Sequence, residues 1–218
     1  MWIAFINMGY LQYLAGGNGD DEKPMKHKKA LIIIGHPMRN SFCGALAEAY
    51  IEGAKTAGAD IKQLYLGELK FDPILWHGYK EIQELEEDLK MAQGFILWAE
   101  HLVFVYPTWW GTIPALLKGF IDRTFLPGFA FKYRKDSLFW DRLLTNRSAR
   151  LLVTMDAPPW YYRWVYKQPG HNMMKKTILG FCGIKPVKIS EFGPIKMSTE
   201  AQGHKWLLKA RKLWEKVE

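Results

Sequence analysis

Cysteine is scarce in this 218-residue chain, which carries only Cys43 and Cys182, far apart and in no CxxC or other metal-like spacing. That gives no support to a disulfide framework or a metal site, and it suits a reducing cytoplasm. Long apolar runs are missing too. Met1 to Leu14 is apolar but too short to span a bilayer, and it lacks the basic start of a secretory signal. No internal repeat or low-complexity tract interrupts the chain from Lys29 onward. Charge is plentiful, at 24% and a net +8, but the basic residues are spread out, with one modest cluster between Lys205 and Lys216. A nucleic-acid binder would show a dense basic face interleaved with exposed aromatics, so the excess argues only weakly, and for anionic small ligands.

What the chain has in excess is aromatic area. Hydrophobic residues make up 49% and aromatics 15%, with ten Trp, which excludes disorder. Some rings must pack the core, but Tyr106 to Trp110 and Trp160 to Trp164 concentrate them in loops where a planar ligand can stack. The length suits one domain. Residues 1–27, with the turn-rich run Ala15 to Glu22, read as a flexible appendage, and residues 28–218 as the folded unit. Met25 is a second candidate initiator. Docking of Trp2 to Leu14 on a membrane or a partner is the lesser reading.

From Lys29 onward, short β-branched runs alternate with helical patterns, the mark of repeated βαβ units around a parallel sheet. Ala30 to Ile34 is too continuously apolar to have a wet face, which puts it near the middle of a sheet covered on both sides. Asn40 or Ser41 caps the next helix, whose Leu46, Ala47, Tyr50, Ile51 and Ala54 face the sheet. Asp60 to Tyr65 is the second strand. The acidic segment Glu81 to Asp88 leads into a helix ending near Ala99 and reads as a solvated face without chemistry. His101 to Tyr106 is the third strand, Ala149 to Met155 the fourth and Val187 to Phe192 the fifth. A helix follows the third strand, another spans about Asn172 to Phe181, and Thr199 with Gln202 signals a capped helix running to Val217. Such a doubly wound α/β sheet binds ligands beyond the carboxyl ends of its strands. Three loops meet there: after Gly35, after Tyr106 and after Met155.

In the first loop, Gly35 to Phe42, a helix N-terminus offers free N–H groups and a positive dipole end to a phosphate, with His36, Arg39 and Ser41 as added donors. It is neither GxGxxG nor GxxxxGK[ST], which removes support from a standard dinucleotide fold and from a nucleoside-triphosphate site. An ordinary capped turn explains it equally well. In the second loop, Tyr106 to Pro114, the adjacent Trp109 and Trp110 are costly on a surface unless something flat covers them, and an isoalloxazine ring is such a group. Backbone N–H groups from Thr108 to Gly111 are candidates for its N1, O2 and N5 edge. Packing of the two Trp inside the protein or at a dimer interface is the alternative.

Gly35-His36-Pro37 with Ser41-Phe42, then Tyr106 to Gly111 and Pro114 to Arg123, resemble the flavodoxin-like NAD(P)H quinone dehydrogenases over roughly Lys29 to Val217. The resemblance implies a flavodoxin-like five-stranded parallel sheet of order 2-1-3-4-5 with helices on both faces. It also implies a homodimer with flavin sites at the subunit interface, FMN or FAD as cofactor with a slight lean to FMN, and NAD(P)H as hydride donor. His36, Ser41, Phe42 and Cys43 would hold phosphate or ribityl groups, and Pro107, Thr108, Trp109, Trp110 and Gly111 would cradle the ring. The third loop departs from the mammalian relatives, because Thr154, Met155 and Asp156 stand where they have Thr-Thr-Gly-Gly. Tyr162 matches the tyrosine that those relatives place near the flavin O2. Their histidine falls near Gln168, and His171, three residues on, is the substitute.

The expected activity is ping-pong transfer from NAD(P)H through flavin to a quinone or similar planar acceptor, in the cytoplasm, with no nucleic acid and no membrane contact. The alternative is a flavodoxin-like ancillary subunit that docks on a membrane transporter.

Overall fold

The computed structural model describes residues 28–217. Residues 1–27, read above as an appendage, lie outside them. The order of elements is β1 (Lys29–Ile34), α1 (Phe42–Thr56), β2 (Asp60–Tyr65), α2 (Glu87–Trp98), β3 (His101–Pro107) and α3 (Ala115–Thr124). Then come β4 (Phe131–Tyr133), β5 (Trp140–Arg142), β6 (Ser148–Thr154), α4 (Pro159–Trp164), β7 (Val187–Phe192) and α6 (Glu200–Lys212). Between α4 and β7 a helical segment α5 runs from Pro169 to Cys182, with π-helical geometry over Met173–Leu179.

The main sheet is five-stranded in the order β2-β1-β3-β6-β7, and every neighbouring pair is parallel. Counting only its own strands, this is the expected 2-1-3-4-5 winding. β4 and β5 form a separate antiparallel hairpin between α3 and β6. It lies in a stretch without a strand pattern, since its strands are three residues each and carry Lys132, Asp141 and Arg142.

Each face of the sheet carries its own core. Leu31 and Ile33 of β1 join α2, α3 and α5 on one side, while Ala30, Ile32 and Ile34 join α1 and α6 on the other. All five are fully buried, which is why β1 reads as an unbroken apolar run. At about 1.5–3 kcal/mol for each large aliphatic side chain, such central strands dominate the stability of the domain. α1 and α6 touch backbone to backbone, for a Cβ on Gly53 would stand 2.0 Å from the Arg211 carbonyl oxygen. Phe42 meets Trp206 edge to face at 5.9 Å nearby.

The long connection before α2 is held by Arg123 of α3. That side chain is fully buried, and its guanidinium donates to the Asp72 and Glu84 carbonyls and to the Glu86 carboxylate. Among the described residues no helix is long and apolar enough to cross a membrane.

Candidate active site

The parallel register brings the carboxyl ends of β1, β3 and β6 to one rim. Gly35 donates from its N–H to the Val105 carbonyl at 2.8 Å, and Thr108 to the Thr154 carbonyl at 2.7 Å. Across the same rim the Cys43 sulfur and the Thr154 hydroxyl lie 3.3 Å apart. The His36 and Trp109 rings meet edge to face at 5.8 Å. Residues from all three loops read in the sequence therefore surround one place.

At the first loop, Ser41 is the cap of α1 and accepts the Gly44 N–H at 3.2 Å. The N–H groups of Phe42 and Cys43 have no acceptor among the described residues, so the positive end of a 15-residue helix opens onto the rim. Gly44 is required here, because a Cβ would stand 2.1 Å from the Arg39 carbonyl oxygen. Two side chains offered above as phosphate donors are already engaged. The Arg39 guanidinium forms a two-point ion pair with Glu68, at 2.6 and 2.9 Å, and lies over the Tyr65 ring at 3.7 Å. His36 Nδ1 takes the Met38 N–H at 3.0 Å. Burial pushes the Cys43 thiol up to about 12, so the sulfur is a neutral packing atom and not a nucleophile.

The second loop folds into a two-residue turn in which Trp109 and Thr112 exchange backbone hydrogen bonds, both at 3.0 Å. Its central residues, Trp110 at φ 50° and Gly111 at φ 75°, are both left-handed. Glycine adopts that conformation freely, whereas a bulky residue such as Trp is strained by about 1–3 kcal/mol. Trp110 is nevertheless fully exposed and Trp109 is 45% exposed, so neither ring contributes to the core. Of the four N–H groups considered for a ring edge, those of Thr108 and Trp109 are used inside the protein. Those of Trp110 and Gly111 have no acceptor among the described residues.

The third loop is tied down by its backbone. The buried Met155 bonds through N–H and carbonyl to Phe192 and Ile195, and the Asp156 carboxylate accepts the Lys196 N–H at 2.9 Å. The Pro-Pro and aromatic stretch that follows is helical, not a loop, since Pro159 occupies the first turn of α4 where its missing N–H is harmless. α4 carries Tyr162, whose buried hydroxyl donates to the Gly111 carbonyl at 2.9 Å and accepts the Gly170 N–H at 3.0 Å. His171 is buried beside it, ring centroids 5.0 Å apart and close to perpendicular. Its Nε2 faces the Glu191 carboxylate at 3.0 Å.

The family model for the flavodoxin-like fold matches residues 28–215. The chain belongs to that family. It is 32% identical over 173 residues to an uncharacterised NAD(P)H oxidoreductase of Haemophilus influenzae, covering 76% of this chain and 83% of the relative. Against the rat ribosyldihydronicotinamide dehydrogenase [quinone] it is 24% identical over 228 residues, covering 88% of this chain and 94% of that one. A solved NAD(P)H:quinone oxidoreductase from Methanothermobacter marburgensis superposes with a TM-score of 0.74 at 25% identity, covering 87% of this chain and 96% of that one.

Within this flavodoxin-like protein, sequence reasoning overlooked Glu191 and Arg163. Glu191 shares a face of β7 with Val187 and Ile189, and a carboxylate at the third place of an alternating apolar row was the available signal. Arg163, which reaches Glu191 at 3.0 Å from α4, carried no such mark. Among the described residues no group of three or more His, Cys, Asp or Glu is gathered as a metal site.

Proposed function

We propose that the chain is a flavin-dependent NAD(P)H:quinone oxidoreductase, acting by ping-pong transfer through one ring site. The observation that carries this reading is Trp110: a fully exposed indole held at positive φ, at a rim shared with an open helix N-terminus. Exposure and strain both oppose folding, so their coincidence marks a residue kept for a ligand.

The residues present fit a flavin. The N–H groups of Phe42 and Cys43, with the Ser41 hydroxyl and the second ring nitrogen of His36, Nε2, at the same loop, suit its phosphate; Trp109 and Trp110 suit the ring face; the N–H groups of Trp110 and Gly111 suit the ring edge. Pro107, Thr108, Thr154, Met155 and Asp156 shape the wall between them. When bound, the flavin supplies the two-electron relay between nicotinamide and acceptor. Tyr162 holds the Gly111 carbonyl so that the edge-binding N–H groups keep their direction, and His171 stands next to it as a proton-holding group. A quinone or comparable planar electrophile matches the aromatic rim, and FMN suits the compact chain.

Exposed Trp110, Trp160, Trp164 and Tyr166 lie on the turn and on or just after α4, which supports a homodimer with this patch covered by the second copy, and the scarcity of cysteine suits the cytoplasm. The deciding experiment is a visible absorption spectrum of the purified protein, chromatography of the released cofactor, and NAD(P)H oxidation with menadione. Yellow protein with turnover is expected; colourless protein without turnover overturns the reading.

A further inference from the structure

Arg150 shares a face of β6 with Leu152, the face packed against α1 and α6, and it is only 3% exposed. A guanidinium stays charged at any pH a protein meets, and an uncompensated charge in such a place strongly opposes folding. The other buried arginine, Arg123, is answered by two carbonyls and the Glu86 carboxylate. Arg150 has nothing comparable. Its Nη1 donates to the Ser190 hydroxyl at 3.3 Å, and its Nε and Nη2 have no acceptor among the described residues. Those two atoms form one edge of the guanidinium with their N–H bonds side by side, the fork by which arginine takes an anion at two points.

The groups around Arg150 are polar but not anionic. The Tyr50 hydroxyl of α1 lies 3.2 Å from His101 Nε2, and His101 Nδ1 lies 2.8 Å from the Ser148 hydroxyl. Burial pushes the Tyr50 hydroxyl above the usual phenol range, against the pull of Arg150 beside it. Burial, with the charges of Lys28, Arg150 and Lys188, pushes His101 down to about 3. Both rings are therefore neutral at pH 7, and no member of this cluster carries a negative charge. Trp214, just after α6, closes the cluster by meeting the Tyr50 and His101 rings edge to face at 5.9 and 5.8 Å. His101 and Ser148 begin β3 and β6, so the cluster lies at the amino ends of the strands, at the far end of the sheet from the candidate active site.

We propose that Arg150 holds a small monovalent anion, a halide or a formate-like carboxylate, side-on between Nε and Nη2 in the cluster that Trp214 closes. One negative charge neutralises the guanidinium, whereas sulfate or phosphate would leave a net charge buried. The anion is structural: it fastens β6 to α1 and to the end of α6, and it acts on stability and not on turnover.

The full chain, with or without flavin, is crystallised in bromide and read by anomalous scattering. Bromide in contact with both Nε and Nη2 is expected. Water, a protein carboxylate or nothing at that edge overturns the proposal. In solution, melting temperature is followed at constant ionic strength while gluconate, a bulky anion, is exchanged for chloride or for formate. Each tenfold rise in the small anion above its dissociation constant is expected to raise the wild type by about 3–6 °C. A response to either anion supports the site, and the stronger one names its class; a flat wild type overturns it. Arg150→Met keeps most of the buried volume without the charge and is expected not to respond, so a response equal to the wild type's also overturns the site. Should that variant fail to fold, the bromide map and the wild-type titration decide.

Discussion

The Tyr162 hydroxyl donates to the carbonyl oxygen of Gly111 at 2.9 Å. Through that bond, and the Gly170 N–H it accepts in return, one side chain of α4 secures a turn whose central residues are both left-handed. Tyr162→Phe removes both bonds and leaves the buried Gly170 N–H without its acceptor. A loss of about 1–3 kcal/mol is expected in urea unfolding, together with weaker flavin retention. A variant as stable as the wild type and equally yellow would show that the hydroxyl does not hold the turn.

Trp110 separates folding from function. In the flavin-free protein, Trp110→Gly relieves the strain at φ 50° and is expected to raise stability by roughly 0.5–1 kcal/mol. In the loaded protein it removes the stacking face, as does Trp110→Ala, and roughly tenfold weaker flavin binding is expected. Melting temperature and flavin content after dialysis should move in opposite directions. If both fall, the indole is a structural residue.

Neither thiol is available for chemistry. Cys43 and Cys182 are buried, and burial pushes each up to about 12, so both stay protonated through pH 9. Iodoacetamide at pH 8 is expected to leave the native protein unlabelled, with two equivalents incorporated in guanidinium. Labelling of the native chain would show that one of these sites opens.

Glu191 makes the fold sensitive to acid. Its folded carboxyl titrates below the unfolded value, so the unfolded state binds the proton more readily. The stability it contributes is complete above about pH 4.5 and is lost as pH falls through the lower folded value. Glu191→Gln should flatten the stability curve in that acid window. Parallel curves for the two proteins would contradict the His171 pairing.

Removal of residues 1–24 is expected to leave melting temperature and turnover unchanged, because the described core begins at β1. Loss of soluble protein would assign the segment a structural part.

Elements whose local chemistry agrees with the whole were legible in the sequence. Ala30 to Ile34 announced a central strand because both faces are buried, and Thr199 announced α6 because its side chain does accept the Gln202 N–H. The rest depended on distant partners. The Arg39 side chain reads as a phosphate donor until Glu68, 29 residues on, claims it. Pro158 and Pro159 read as part of a loop until Tyr162 anchors α4 on Gly111. Trp109 and Trp110 read either as a stacking face or as a pair packed away, and their exposure in the turn removes packing in the core.

The contact between Gly53 and Arg211 has a bearing on how the protein meets different acceptors. With α6 wedged along it and Trp206 against Phe42, the helix that would receive the phosphate is a fixed post and not a moving jaw. Tolerance for acceptors of unlike size must then reside in the opposite half of the opening, built by the turn and α4, and breadth of use can evolve there without disturbing the anchor.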